Sequence, residues 1–172
     1  ASFICVLTSS KIAIGRGFLL RFAAPKVVAW RRADSCPRGP HTARMTRAWE
    51  TVDGVATARG RLELRRRADG DFLIALAGRV LMNSRQSRSE EALGRLAAEL
   101  ACERAPAPRV LIGGLGMGCT LRAALDALPA GARVAVAELT ERIVDWCRGP
   151  IAPVSSGAVL DPRVAIEIVD VA

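Results

Sequence analysis

Hydrophobic and polar residues alternate with a period of two near the middle of the chain. Over residues 60–67, leucines alternate with charged side chains, which is typical of a half-buried strand. Residues 68–70 have turn-forming character, and Phe72–Leu76 continues the alternation, so the two stretches predict a β-hairpin. A short apolar run at 80–82 follows. Residues 45–84 are therefore predicted to form a small antiparallel β-hairpin domain.

The second half of the chain alternates between helical and strand patterns. A helix is predicted over 87–102, with Ser89 as its cap, because acidic residues follow that serine. Its apolar residues are spaced to mark one face: Leu93, Leu96, Ala97 and Leu100. The remaining predicted elements are strands at 110–112, 133–137 and 164–169 and helices at 121–128 and 140–147.

This order of strand, helix, strand, helix, strand predicts an α/β fold. These elements correspond to the first half of a doubly wound, Rossmann-like parallel sheet with its helices, and they are predicted to occupy residues 85–172. The 172 residues suit one domain, or a large domain with a small one, and a hydrophobic content of 51% indicates a substantial core.

The most informative segment joins the first predicted parallel strand to the helix after it. Glycines occupy positions 113, 114, 116 and 118, so the chain can turn tightly and leave the N–H groups of the helix facing the turn. Glu138 ends the next strand, 22 residues after Gly116. A nucleoside-binding βαβ unit holds ribose hydroxyls with an acidic residue at this place. The segment therefore predicts an adenosine-containing ligand.

Three glycine-loop chemistries compete for this segment. The dinucleotide pattern requires glycine where this chain has Cys119, and the phosphate-binding loop requires lysine at the same position. The alternating glycines 114, 116 and 118 fit a ligand without phosphates, such as S-adenosylmethionine or its decarboxylated form. A glycine-rich turn with a purely structural role remains the alternative.

The net charge of +8 is concentrated at one end of the chain. Residues 1–44 carry eight basic residues against one acid, whereas residues 45–172 carry 17 basic and 16 acidic residues. Because the predicted domains are almost neutral, the charge does not indicate nucleic-acid binding.

Residues 1–44 are expected to lie outside the fold, as an unstructured or non-native extension. They are rich in arginine, poor in acids and interrupted by prolines, which resembles an organelle transit peptide. A translation start placed upstream of the true one is the preferred explanation, since Met45 is the first methionine. Neither of their apolar runs reaches the ~18 residues of a membrane span, so no membrane association is expected.

The cysteines are widely spaced and form no metal-binding or redox pattern: Cys5, Cys36, Cys102, Cys119 and Cys147. With one histidine in the chain, no metal site is expected. Reduced thiols and a cytoplasmic location are expected instead. Cys119 falls near a helix N-terminus, where the pKa of a thiol is commonly lowered.

Residues 46–172 resemble the spermidine synthase-like proteins, the polyamine aminopropyltransferases. Four segments carry the resemblance: 81–84 with 89–91, 113–122, 137–149, and 160–163 with 170–171. The resemblance implies a class I S-adenosylmethionine-dependent methyltransferase fold, preceded by a small β-domain. It also implies that the chain is an N-terminal portion, truncated after the third parallel strand.

The same resemblance implies a set of ligand-binding residues. The backbone that approaches the sulfonium arm of the ligand would be that of Gly114, Gly116 and Gly118. Glu138 would accept hydrogen bonds from the ribose hydroxyls, and Asp170 would pair with the adenine amino group. Gln86 lies near the place of a ligand-contacting glutamine. The alternative for Asp170 is a strand-end carboxylate that faces solvent.

Two departures separate this chain from the polyamine-making members. Those members carry a Tyr-His-Glu motif after the hairpin, whereas residues 91–95 here read Glu-Ala-Leu-Gly-Arg and the chain has no tyrosine. The aspartate that accepts the proton of the amine lies on the fourth strand in this family. The catalytic residues are therefore unknown and expected beyond residue 172.

The implied function is aminopropyl transfer from decarboxylated S-adenosylmethionine to an amine in the complete protein. The alternatives are a methyltransferase that uses S-adenosylmethionine with an unknown acceptor, and a non-catalytic module for nucleoside binding or oligomerisation. A small-molecule substrate is expected, and a homodimer is possible.

Overall fold

The computed structural model describes residues 3–7 and 48–170. Its strands are β1 (Phe3–Leu7), β2 (Glu50–Thr57), β3 (Gly60–Arg66), β4 (Phe72–Leu76), β5 (Arg79–Asn83), β6 (Arg109–Gly113), β7 (Arg133–Glu138) and β8 (Val164–Ile168). Its helices are α1 (Arg88–Cys102), α2 (Cys119–Ala127) and α3 (Glu141–Arg148), followed by two short 3-10 helices at Ala152–Ser155 and Ala158–Leu160.

Strands β2 to β5 form an antiparallel sheet in chain order, called the small sheet below. Leu62 and Leu64 are buried while the charged residues that alternate with them, Arg61, Glu63 and Arg65, are more exposed, as the period of two predicted. Leu64 lies opposite Ile74 of β4, which confirms the hairpin between β3 and β4. In β4 the consecutive residues Leu73, Ile74 and Ala75 are all buried, so this strand is covered on both faces.

The other described strands form a parallel sheet in the order β1-β6-β7-β8. Helix α2 connects β6 to β7, and α3 with the 3-10 helices connects β7 to β8. The predicted α/β class is confirmed: a partial doubly wound parallel sheet follows a small antiparallel sheet. Leu64 and Ile74 of the small sheet belong to the same buried cluster as Val110 and Val134 of the parallel sheet.

Strand β1 corrects the expectation that residues 1–44 lie outside the fold. Phe3–Leu7 pairs in parallel with β6, from Phe3 opposite Arg109 to Leu7 opposite Gly113. An apolar run containing β-branched residues suits a strand, and its backbone groups hydrogen-bond along the side of β6 that faces away from β7. Residues 8–44 and the two explanations of their origin lie outside the described residues, and the proposed domain boundaries stay predictions.

Helix α1 packs through its small residues rather than its leucines. Its buried residues are Gly94, Ala97, Ala98 and Ala101, whereas Leu93, Leu96 and Leu100 are between 36% and 53% exposed. The reason lies at Gly94, where a Cβ would overlap the carbonyl oxygen of Thr120 at the start of α2. Since α1 approaches α2 this closely, the large side chains are left on the outer face.

The cap of α1 also differs from the prediction. The helix begins at Arg88, and its N-cap residue is Ser87 rather than Ser89. The side chain of Ser87 makes no cap bond to the backbone. It donates a hydrogen bond to a carboxylate oxygen of Glu91 instead, at 2.6 Å.

Among the described residues, none of the helices combines the length and the apolar character that a membrane span requires.

Candidate ligand-binding site

The glycine loop lies between β6 and α2, at the carboxyl end of the parallel sheet. Gly114, Gly116 and Gly118 have φ angles of +93°, +57° and +80°, in the left-handed region that favours glycine. The N–H of Gly118 donates to the carbonyl of Leu115 at 2.9 Å, and Gly118 caps α2. The predicted tight turn into a helix is therefore present.

Two of these glycines face side chains of the protein itself. A Cβ at Gly116 would lie 2.6 Å from Cε of Met82, and a Cβ at Gly118 would lie 2.9 Å from Oγ of Ser155. The missing Cβ atoms thus make room for a methionine of β5 and for a fully buried serine. That the same backbone approaches a sulfonium arm stays a prediction.

Glu138 ends β7 and is only 5% exposed. One carboxylate oxygen accepts a hydrogen bond from the N–H of Leu115 at 2.8 Å, and the other accepts one from the N–H of Thr140 at 2.9 Å. Each carboxylate oxygen has two lone pairs, so both retain accepting capacity. Glu138 therefore ties the glycine loop to the end of β7 and presents further acceptor sites at that end.

Asp170 follows β8, at the same end of the sheet. It is exposed, and the neighbouring Val169 donates a backbone hydrogen bond to the carbonyl of Glu138 at 3.0 Å. The structure thus brings Glu138 and Asp170 to the tips of adjacent parallel strands. Ligands of doubly wound sheets bind outside the carboxyl ends of the strands.

A small pocket lies between the glycine loop and the segment that joins β5 to α1. It is lined by Met82, Asn83, Gln86, Ser87, Glu90, Leu115, Met117, Cys119 and Thr120. Gln86 is exposed, and its side-chain oxygen accepts a hydrogen bond from the amide of Asn83 at 3.3 Å. The structure therefore places Gln86 beside the glycine loop, and its contact with a ligand stays a prediction.

Sequence reasoning missed Glu90 as a member of this site. It is the one charged side chain among the described residues that line the pocket. One of its carboxylate oxygens accepts a hydrogen bond from Ser89 at 2.6 Å. Its position in the first turn of a helix suggested only a role at the helix end, and the resemblance over residues 89–91 assigned Glu90 no ligand contact.

The prediction that the pKa of Cys119 is lowered is wrong. Burial raises it, and the nearby carboxylates of Glu90 and Glu91 raise it further. Burial also raises the pKa of Cys147 to about 12, and its thiol donates a hydrogen bond to the carbonyl of Gly116 at 3.3 Å. Neither thiol therefore has the lowered pKa that is typical of a reactive cysteine.

Residues 91–95, at the place of the Tyr-His-Glu motif, lie in the first half of α1. Gly94 in this segment is buried against α2, while Leu93 is partly exposed. Arg95 lies 3.8 Å from Glu91 in an exposed ion pair within α1. Within residues 48–170, no group of three or more histidine, cysteine or acidic side chains could hold a metal ion.

The comparisons with known proteins agree with this architecture. No protein-family model matches the chain, and no curated protein matches it. Among solved structures, spermidine synthase from Thermotoga maritima is similar with a TM-score of 0.57 and 23% identity, covering 70% of this chain. A spermidine synthase in complex with the transition-state analogue AdoDATO is similar with a TM-score of 0.56 and 23% identity, again over 70% of this chain.

These similarities establish a spermidine synthase-like fold, and the fold that the resemblance implied is confirmed. The chain spans about two fifths of the length of those enzymes, with 40% and 41% of their chains covered.

Proposed function

We propose that this protein binds an S-adenosyl ligand and serves in aminopropyl transfer. The donor in the whole protein would be decarboxylated S-adenosylmethionine, and the acceptor an amine. The observation that carries the proposal is the placement of Glu138, a buried carboxylate that is bonded to the glycine loop at the tip of β7. A spermidine synthase-like fold with an acid at this strand end supports a nucleoside ligand.

The adenosine portion would lie across the tips of β7 and β8. Glu138 would accept hydrogen bonds from the ribose hydroxyls with its remaining lone pairs, and Asp170 would pair with the adenine amino group. The loop from residue 113 to 120 contains no basic residue, so a ligand without phosphates suits it better than a dinucleotide. A similar enzyme also forms a complex with AdoDATO, an adenosyl analogue.

The charge of the pocket favours an arm that ends in an ammonium group. Glu90 supplies a carboxylate, and the described lining contains no basic side chain. Decarboxylated S-adenosylmethionine carries the ammonium without a carboxylate, whereas S-adenosylmethionine brings a negative group into the same space. The Glu90 carboxylate would attract the ammonium group of either ligand but would repel the carboxylate of S-adenosylmethionine, so the decarboxylated ligand is favoured.

The proposed reaction forms one bond and breaks one. The lone pair of the amine attacks the methylene carbon beside the sulfonium, the carbon–sulfur bond breaks, and its electron pair stays on sulfur. Methylthioadenosine leaves as a neutral product, and the proton of the amine passes to a base. We assign no residue of the described part of the chain to that base.

Methyl transfer to an unknown acceptor is the second candidate, and one observation favours it. The segment that recognises the amine in polyamine-making enzymes is replaced here, with Gly94 buried against α2. The same observation supports a non-catalytic nucleoside-binding module.

Ligand-induced stabilisation separates these functions. We expect methylthioadenosine and decarboxylated S-adenosylmethionine to raise the Tm of the full chain, and NAD, which carries phosphates, to leave it unchanged. A higher affinity for S-adenosylmethionine than for its decarboxylated form would favour methyl transfer. Binding of methylthioadenosine without its release from donor and diamine would favour the module. Stabilisation by NAD alone would contradict the proposal.

A further inference from the structure

A hydrogen bond joins helix α3 to strand β2 of the small sheet. Nε1 of Trp146 donates to the Asp53 carboxylate at 2.8 Å, across 93 positions of sequence. Trp146 is 2% exposed. The register of β2 against β3 shifts between Thr51 and Asp53, and a bulge of this kind changes the direction of the side chains that follow it.

The next residue of α3 contacts the glycine loop. The buried thiol of Cys147 donates to the carbonyl of Gly116 at 3.3 Å. On another side of Gly116, Cε of Met82 in β5 lies 2.6 Å from the place of a Cβ. Gly116 therefore lies between α3 and the small sheet. Two consecutive residues of α3 make these contacts: Trp146 bonds to the small sheet and Cys147 bonds to the glycine loop.

We infer that Asp53 is a positioning residue of the ligand site: through Trp146 it fixes the small sheet against α3 and so holds Met82 over Gly116. The inference rests on the proposed function. Strands β2 to β5 are hydrogen-bonded into one sheet, so a fixed point on β2 also fixes β5. Apolar contacts between the sheets do not depend strongly on direction, whereas the hydrogen bond between Trp146 and Asp53 specifies the orientation of the small sheet relative to α3.

The ion pair at the same carboxylate provides a control. Arg142 lies 3.4 Å from Asp53, with side chains 45% and 36% exposed. Exposed pairs of this kind contribute little, so the positioning effect resides in the bond to Trp146 rather than in the charge.

The test measures methylthioadenosine affinity of the full chain by calorimetry, well below the Tm. We expect Asp53→Ala to weaken binding about fivefold. Asp53→Asn keeps an oxygen that accepts the indole N–H and should restore binding, and Arg142→Ala should bind as the wild type does. Trp146→Phe should match Asp53→Ala, and the double variant should be no weaker than either single variant, because both changes remove the same bond.

A second measurement needs no ligand. The ¹³C-methyl NMR signal of Met82 should shift in Asp53→Ala and keep its wild-type position in Asp53→Asn. Val134→Ala, a change in the parallel-sheet core, should lower the Tm without moving that signal or the affinity. An unmoved Met82 signal in Asp53→Ala, or equal defects in the alanine and asparagine variants, would overturn the inference. Failure of the wild type to bind methylthioadenosine would instead contradict the proposed function, while the Met82 signal still decides the positioning role.

Discussion

The carboxylate of Glu138 accepts a hydrogen bond from the backbone N–H of Leu115 at 2.8 Å, joining residues 23 positions apart. The bond connects the tip of β7 to the glycine loop that follows β6. It is buried, so competition from water is weak and the geometry of the loop is tied to the strand beside it. One side chain thus fixes the loop, and under the proposed function the same side chain would bind the ribose.

The charge of Glu90 should act on the arm of the ligand and not on its adenosine portion. Glu90→Gln is expected to weaken binding of decarboxylated S-adenosylmethionine about tenfold, the order of a lost charge-assisted hydrogen bond. Binding of methylthioadenosine, which has no cationic arm, should not change. Calorimetry with both ligands makes this measurement.

Glu91→Gln is the matched control, because Glu91 already bonds to Ser87 and pairs with Arg95. If Glu90→Gln weakened the binding of both ligands equally, Glu90 would not contact the cationic arm of the ligand.

The close approach of α1 to α2 requires glycine at position 94. Gly94→Ala should lower the free energy of unfolding by about 1–3 kcal/mol, since the added Cβ overlaps the Thr120 carbonyl and the helices must separate. Gly131→Ala is the control, because its Cβ would lie 3.6 Å from the Ala107 methyl group, an ordinary contact. Urea denaturation that shows equal stability for the two variants would contradict this account of the helix pair.

Asp161 should make the stability of the protein dependent on pH in the acid range. Its carboxylate accepts hydrogen bonds from Arg163 at 2.8 and 3.0 Å, which lowers its pKa to about 2. Because the folded pKa lies below the unfolded value, the stabilisation is complete above about pH 4 and disappears as the pH falls towards 2.

The check is urea denaturation of the wild type and Asp161→Asn at several pH values. The wild type should be more stable at pH 6, and the difference should shrink as the pH falls below 4. A difference that does not depend on pH would refute the role of this carboxylate.

Cys119 should react slowly with alkylating agents although it lies in the candidate site. Its pKa is raised, so little thiolate is present at pH 8, whereas Cys102 is exposed. Peptide mapping after brief iodoacetamide treatment should find Cys102 labelled about tenfold faster. Labelling of Cys119 at the rate of Cys102 would show an accessible thiolate.

The parts of the fold that follow from local patterns were predictable from the sequence. The hairpin of β3 and β4 follows from alternation, and the turn at Gly118 follows from glycines between an apolar strand and a helix. Glu138 was identified as a site candidate because its distance from the loop matches one βαβ unit.

The features that the sequence did not reveal depend on contacts between distant segments. The bond from Trp146 to Asp53 spans 93 positions and has no periodic signature. The exposed leucines of α1 were misassigned because Gly94 lets the backbone of α1, rather than large side chains, pack on α2. Strand β1 pairs with β6 across more than a hundred residues, which an isolated apolar run does not indicate.

The measurement that tests the central claim most directly is methylthioadenosine binding to the full chain and to two variants of Glu138. The wild type should bind one equivalent, and Glu138→Ala should weaken binding by about 1–3 kcal/mol because the ribose hydroxyls lose a charged acceptor. Glu138→Gln keeps an oxygen for the N–H of Leu115 but loses the charge, so its affinity should fall between the other two. A wild type that does not bind, or an alanine variant with unchanged affinity, would contradict the account.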